Sequence, residues 1–215
     1  MATRIFLVDD HALVRSGMRL ILSTQPDMEV VGEASSGEAA LPQIRALAPD
    51  VVLCDLHMPG MSGLEITERI VRGQPGVRVV VVSVLEDGPM PRRLLEAGAS
   101  GYVGKGGDAE ELLHAVREVA RGRRFLAGNV ARYLALAGID GGGNPFDALT
   151  DREMEVALML TQGMRQGQIA ERLSLSPKTV NTHKSRLFEK LEIADTVALA
   201  RLMGQYGMAE PAGAI

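Results

Sequence analysis

Five residues with reactive side chains fall where short apolar runs stop: Asp9 and Asp10, Asp55, Ser83 and Lys105. Three carboxylates gathered in one cleft repel each other and favour a hard divalent cation with oxygen ligands. Mg2+ would neutralise them and bridge to an incoming phosphoryl group. One carboxylate could then attack phosphorus and form an acyl phosphate. No general base is needed, because a carboxylate is already an adequate nucleophile; the rest is positioning and charge neutralisation. Lys105 would bring positive charge to the phosphoryl oxygens, and Ser83 a hydrogen bond to one of them. Singly, each residue has a plain reading. Asp9 and Asp10 could be loop acids, Asp55 could merely end a strand, and a lone serine or lysine means nothing. The case rests on all five falling at strand ends of one sheet.

Such a sheet is what the first 120 residues predict. Apolar runs at about 4–8, 29–34, 50–54, 77–83 and 101–104 alternate with helical spacing at about 12–24, 36–48, 63–73, 89–97 and 108–120. This pattern predicts a doubly wound α/β domain with five parallel strands. The runs at 50–54 and 77–83 are apolar enough to be central strands buried on both faces. Ligand sites in such sheets lie beyond the carboxyl ends of the strands, where the five residues fall. Cys54 points away from its neighbour Asp55 and reads as core, not as a redox sensor.

The pattern then changes. Residues 122–145 read as a linker, with a short helix near 128–137 and the breaker Gly141-Gly142-Gly143-Asn144-Pro145. Residues 146–215 read as a small all-α domain of four helices. Thr150 and Glu153 form a capping box, and Met154, Ala157, Leu158 and Leu160 follow on one face. A second helix fits Gln168 to Leu173. Ser176-Pro177 opens a third, with Val180, Leu187 and Leu191 as its buried stripe. A fourth starts at Asp195 or Thr196 and runs to about Gln205, stopped by Gly207.

Composition narrows the setting. The 215 residues contain one cysteine, which cannot form an internal disulfide. No apolar run approaches the roughly 18 residues that span a bilayer, and the N-terminus lacks a signal-peptide pattern. The cytoplasm is expected, with no membrane association. Net charge is −4, unevenly spread: residues 1–121 carry 12 basic and 17 acidic side chains, whereas 176–191 carry four basic and one acidic. A basic stretch on one helix can bind DNA, although charge alone favours a solvated helix face.

Asp9-Asp10-His11, Asp55-Leu56-His57-Met58-Pro59-Gly60, Ser83 and Gly101-Tyr102-Val103-Gly104-Lys105-Gly106 resemble the receiver domain of bacterial response regulators, over residues 2–121. The resemblance implies that Asp55 is the phosphoacceptor, served by a sensor histidine kinase. It implies that Asp10 binds Mg2+ directly and Asp9 partly through water, with Asp55 and the His57 backbone carbonyl completing the site. Ser83 would be the switch hydroxyl and Tyr102 the aromatic that swings inward behind it, with Lys105 on the phosphoryl group. Tyr102 also reads as core packing at a strand edge. The His57 imidazole is a poor Mg2+ ligand, and His11 reads as a loop or N-cap residue. Val84 departs from the small residue many receivers carry there, which puts the rate of phosphate loss in question.

The segments Leu149 to Val156, Gln168 to Leu173 and Leu175 to Lys184 resemble the LuxR-type helix-turn-helix domain. Receiver followed by LuxR-type domain is the order of the NarL/FixJ group, and the whole chain resembles the GacA/UvrY subgroup. A recognition helix enters the major groove. With Val180, Leu187 and Leu191 inward, Asn181, Thr182 and Ser185 face the groove, and Asn181 could read adenine bidentately. Lys178, Thr179, Lys184, Arg186 and Lys190 suit phosphates, and His183 suits packing or a backbone contact. The same helix could instead be a protein-interaction surface. Gly167 weakens the second helix and puts its start in question. A homodimer on double-stranded DNA, or when phosphorylated, is expected, with the fourth helix (Val197, Leu199, Ala200, Met203) as a dimer surface or core.

The resulting expectation is a transcription regulator, not an enzyme, in which phosphorylation shifts a population between two states. The subgroup resemblance implies a BarA/GacS-like sensor kinase and promoters of small regulatory RNAs. Two other readings stay open. One is a phosphate-independent regulator. The other is a phosphatase of the haloacid dehalogenase type, against which stands the placement of the nucleophile candidate on the third strand.

Overall fold

A computed structural model of the chain describes residues 2–84, 88–139, 144–173 and 175–206. The chain divides into two compact units, one built from residues up to 136 and the other chiefly from 137 onward.

The first unit alternates strand and helix: β1 (Thr3–Val8), α1 (Ala12–Ser23), β2 (Met28–Ala34), α2 (Gly37–Leu47), β3 (Val51–Asp55), α3 (Gly63–Gly73), β4 (Arg78–Ser83), α4 (Pro89–Glu96), β5 (Gly101–Gly104) and α5 (Ala109–Ala120). All strand pairs are parallel, in the order β2-β1-β3-β4-β5-β6. β3 is buried along its whole length, and β4 beyond Arg78, as their central apolar runs require. Ile5, Leu7, Leu53, Val80 and Val82 pack with Leu112, Val116 and Val119 of α5 to form the core beneath one face.

The sheet has one strand more than the five expected. β6 (Phe125–Leu126) pairs with β5, where Phe125 N–H donates to the Ser100 carbonyl at 3.0 Å and Ala127 N–H to that of Tyr102 at 2.9 Å. Two residues are too short a run to show alternation, so no periodicity marks this strand in advance.

Several helices start where the strand-end loops finish, and their caps fix those loops. Ser36, Ser62 and Asp108 accept from the backbone N–H three residues on, at the starts of α2, α3 and α5. At Gly63 a Cβ would lie 2.2 Å from the Asp55 carbonyl oxygen. Only glycine lets α3 begin so close to the end of β3, which holds the loop after Asp55 tightly folded.

α6 (Gly128–Ile139) covers the short helix expected near 128–137. The second unit holds α7 (Asp151–Thr161), α8 (Gln166–Arg172), α9 (Pro177–Lys190) and α10 (Thr196–Gln205). The capping box is present: Thr150 Oγ1 accepts from Glu153 N–H, and Glu153 Oε2 accepts from Thr150 N–H at 2.8 Å. Met154, Ala157, Leu158 and Leu160 are all buried, as are Phe146, Ile169, Val180, Leu187, Leu199 and Met203. α8 begins at Gln166, two residues before the expected Gln168. Gly167 is tolerated in the first turn because Gln168 Oε1 accepts from Arg165 N–H at 2.8 Å and closes the helix start. Ser176 and Asp195 cap α9 and α10 as expected. The Gly141–Gly143 breaker and the Gly207 stop lie outside the described residues. Among the described residues no helix is long and apolar enough to cross a membrane.

Candidate functional site

The carboxyl ends of four neighbouring strands carry the expected residues. Asp9 and Asp10 follow β1, Asp55 ends β3, and Ser83 ends β4; Lys105 follows β5. Lys105 Nζ lies 2.8 Å from Asp9 Oδ2 and 2.9 Å from Asp55 Oδ2, bridging two carboxylates that are almost completely buried. Ligand atoms of Asp9, Asp10, Asp55 and His11 all fall within 4.8 Å of one another. His11 precedes α1 at its N-cap, as expected, but its side chain gives no cap bond; its Nδ1 is 2.9 Å from Asp10 Oδ1.

The electrostatics follow from burial and this bridge. Burial pushes the Asp55 carboxyl above its ordinary range. Lys105 pulls the other way by charge and hydrogen bond, Asp9 adds to the rise, and the His57 N–H on Oδ1 opposes it. For Lys105, burial acts to discharge the ammonium, but the charges and hydrogen bonds of Asp55 and Asp9 outweigh it and hold the pKa above normal. The ammonium is therefore charged at neutral pH. The Cys54 thiol is buried, donates to the Asp55 carbonyl, and is pushed far up by burial and then by Asp55 and Asp9. It is core, as expected.

This donor set suits a divalent cation. Three carboxylates within reach of one point are hard oxygen ligands, and the lysine ammonium bridges two of them. Of the remaining expected residues, Ser83 and Tyr102 are both fully buried. Tyr102 sits on β5 opposite Val81 of β4. Val84 is 55% exposed, so its bulk is not folded into the core. The role of the His57 carbonyl rests on the resemblance alone.

Two further residues contact the cluster's surroundings. Arg15 Nη1 donates to the Asp9 carbonyl at 2.6 Å. Glu38, in the first turn of α2, accepts from Met61 N–H at 3.1 Å through Oε1 and so ties α2 to the loop after Asp55. No local signal links residues 23 positions apart; only the sheet order brings them together. Glu38→Ala is expected to slow phosphoryl uptake severalfold, by loosening the loop that follows the acceptor, while Glu38→Gln, which keeps the acceptor oxygen, restores most of the rate. Initial rates with acetyl phosphate distinguish the two; equal rates for Ala and wild type would remove Glu38 from the site.

The second cluster is the exposed side of α9. Val180, Leu187 and Leu191 are buried, and Asn181, Thr182, Ser185, Lys178 and Arg186 are exposed, as expected. Lys184 Nζ lies 5.3 Å over the Phe188 ring. The Thr179 and Thr182 hydroxyls have local partners in Ser176 Oγ (2.8 Å) and the Lys178 carbonyl (3.0 Å). Lys190 is exposed, and its Nζ lies 2.6 Å from Glu153 Oε2 of the α7 cap. Burial acts to raise the Glu153 pKa, but Lys190 and the Thr150 bonds outweigh it and hold the carboxyl below its ordinary range. His183 Nδ1 is buried without a hydrogen-bond partner, and burial, then Arg152 and Arg186, hold the imidazole below its usual range against Glu153. On α10, Leu199 and Met203 belong to the core, whereas Val197 and Ala200 are exposed.

Comparison with known proteins agrees across the whole chain. Residues 5–117 match the model of the response regulator receiver domain, and residues 147–203 that of the luxR family of bacterial regulatory proteins. The chain is 44% identical to response regulator GacA of Pseudomonas aeruginosa over 97% of its own length and 99% of that protein's. It is 42% identical to response regulator UvrY of Escherichia coli K12, over 95% and 94%. Among solved structures, RcsB from Salmonella enterica serovar Typhimurium, bound to promoter rprA in the presence of the phosphomimetic BeF3-, matches with a TM-score of 0.71 and 25% identity, over 95% of this chain and 99% of that one.

Proposed function

The chain belongs to the DNA-binding response regulators that join a receiver to a LuxR-family domain and regulate transcription, and from that membership we propose that Asp55 is the phosphoacceptor through which a sensor histidine kinase controls its α9 helix. The observation that carries this is Lys105 bridging Asp9 and Asp55 at the ends of neighbouring strands. A bound Mg2+, held by Asp9, Asp10, Asp55 and the His57 carbonyl, would neutralise the charge gathered around the acceptor. The chain's own residues do the rest. Asp55 supplies the nucleophilic oxygen. Lys105 would leave the carboxylate pair for a phosphoryl oxygen, and Ser83 would donate a hydrogen bond to another. Tyr102, buried on β5, would move with Ser83.

In this reading the receiver spans 1–121, the linker 122–145 and the DNA-binding domain 146–215, although β6 and most of α6 within that stretch pack with the first unit. Lys178, Thr179, Lys184 and Arg186 serve phosphates, and Asn181, Thr182 and Ser185 face base edges. Val197 and Ala200 mark the part of α10 open to a homodimer. The near-full-length likeness to GacA and UvrY supports a BarA/GacS-like kinase, a cytoplasmic setting and promoters of small regulatory RNAs. Treating the full chain with acetyl phosphate and Mg2+ tests the core of this reading. It should take up one hydroxylamine-labile phosphoryl group per chain, gain mass as a dimer and bind promoter DNA more tightly. A hydroxylamine-stable label, or an unchanged DNA affinity, would defeat it.

A further inference from the structure

We propose that Gln166, in the first turn of α8, is a specificity-determining residue that fixes which edge of the Asn181 side-chain amide faces the DNA bases. The proposal rests on Asn181 being a base reader. Gln166 Nε2 donates to Asn181 Oδ1 at 3.2 Å, from one helix of the pair to the other. Both ends of that bond are anchored. α8 is fixed by its closed start at Arg165 and Gln168 and by buried Ile169 and Ala170; α9 is fixed by the Ser176 cap and by buried Val180 and Leu187. Among the described residues neither amide makes another hydrogen bond.

An unrestrained asparagine amide turns over readily, because its last torsion is broad and two-fold. It then offers donor or acceptor to the same base edge. Holding Oδ1 towards Gln166 leaves Nδ2 outward as a donor, with the second lone pair of Oδ1 beside it. Adenine needs that pattern in the major groove: N7 accepts from Nδ2, and the N6 amino group donates to Oδ1. Guanine presents acceptors at both N7 and O6, so the fixed Oδ1 would face O6 without a proton between them. Gln166 thus raises discrimination for adenine while touching no base itself.

The test uses the full chain phosphorylated with acetyl phosphate, selecting from a pool of DNA duplexes with a randomised core. Asn181→Ala should lower adenine preference at one position of each half-site by about tenfold. Gln166→Ala should lower it at the same position by about three- to tenfold and leave other positions alone. Gln166→Glu carries the sharper expectation. A carboxylate only accepts, so it turns the Asn181 amide over and moves the preference towards cytosine, whose N4 amino group is a donor. Affinity for random-sequence duplex and its salt dependence report whether the domain is intact, and Gln166→Met replaces Ala if that variant does not fold. If Asn181→Ala shifts the preference and no Gln166 variant does, the pairing plays no part in specificity and the proposal falls. If the Gln166 variants weaken all sequences equally, Gln166 contacts the backbone instead, and the proposal falls again. If Asn181→Ala changes no base preference, Asn181 is not a reader, and the underlying reading fails with it.

Discussion

Asp55→Asn is expected to abolish phosphoryl uptake from acetyl phosphate and, with it, the entire phosphorylation-dependent gain in DNA affinity. The amide keeps the shape and most hydrogen bonds of the carboxyl but is not a nucleophile towards phosphorus. Retained labelling at any carboxylate, with full DNA response, would sink the assignment. A second readout is independent of phosphate. Burial raises the Asp55 pKa in the folded protein, so the native state holds its proton more tightly than the unfolded chain. Stability contributed by that proton is present below the ordinary carboxylate range and is lost as pH rises through the raised folded value. The Asn variant has no proton to lose. Its urea midpoint should fall less than that of the wild type as pH is raised from about 4 to 7.

The strand-end cluster was legible because its logic is geometric: a parallel sheet puts every βα loop at one end, so residues at the ends of apolar runs must meet. Helix starts were legible wherever a cap residue stood before an apolar stripe, as at Thr150, Ser176 and Asp195. What escaped was pairing between elements. Glu38 with Met61, Lys190 with Glu153 and Gln166 with Asn181 join residues whose own neighbourhoods look like ordinary solvated helix turns. Lys190 shows the consequence: one more basic residue of α9 by sequence, it pairs with Glu153 of the α7 capping box. β6 escaped for a different reason, since its two residues gain their strand geometry from the edge of β5 and not from any pattern of their own. Helix burial also divided what the apolar stripe of α10 could not, sending Leu199 and Met203 inward and leaving Val197 out.

Lys105→Met should be the most destabilising single change at the site, and Mg2+ should reverse much of it. The ammonium is the cation joined to both Asp9 and Asp55, whose side chains are 0% and 4% exposed. Removing one member of a buried ion pair leaves the other charge uncompensated, at a cost of about 3 kcal/mol. The carboxylates can escape that cost only by binding protons. The loss should therefore be smaller at acid pH, where the raised Asp55 carboxyl keeps its proton, and larger near pH 7. Mg2+ can replace the missing charge, and it binds the folded state alone, so it should raise the urea midpoint of the variant at pH 7 more than that of the wild type. In the wild type the ammonium already shares the same oxygens and offsets part of the ion's advantage. Equal midpoints for the two proteins without Mg2+ would show that the bridge does not hold the site. Equal shifts on adding Mg2+ would show that ammonium and cation do not share ligands, and that the acidic cluster is not the metal site. Phosphoryl uptake separates stability from chemistry: Met keeps the volume of the lysine stem but offers no charge to a phosphoryl oxygen, so uptake should stay low in the Mg2+-restored protein even where its fold is recovered.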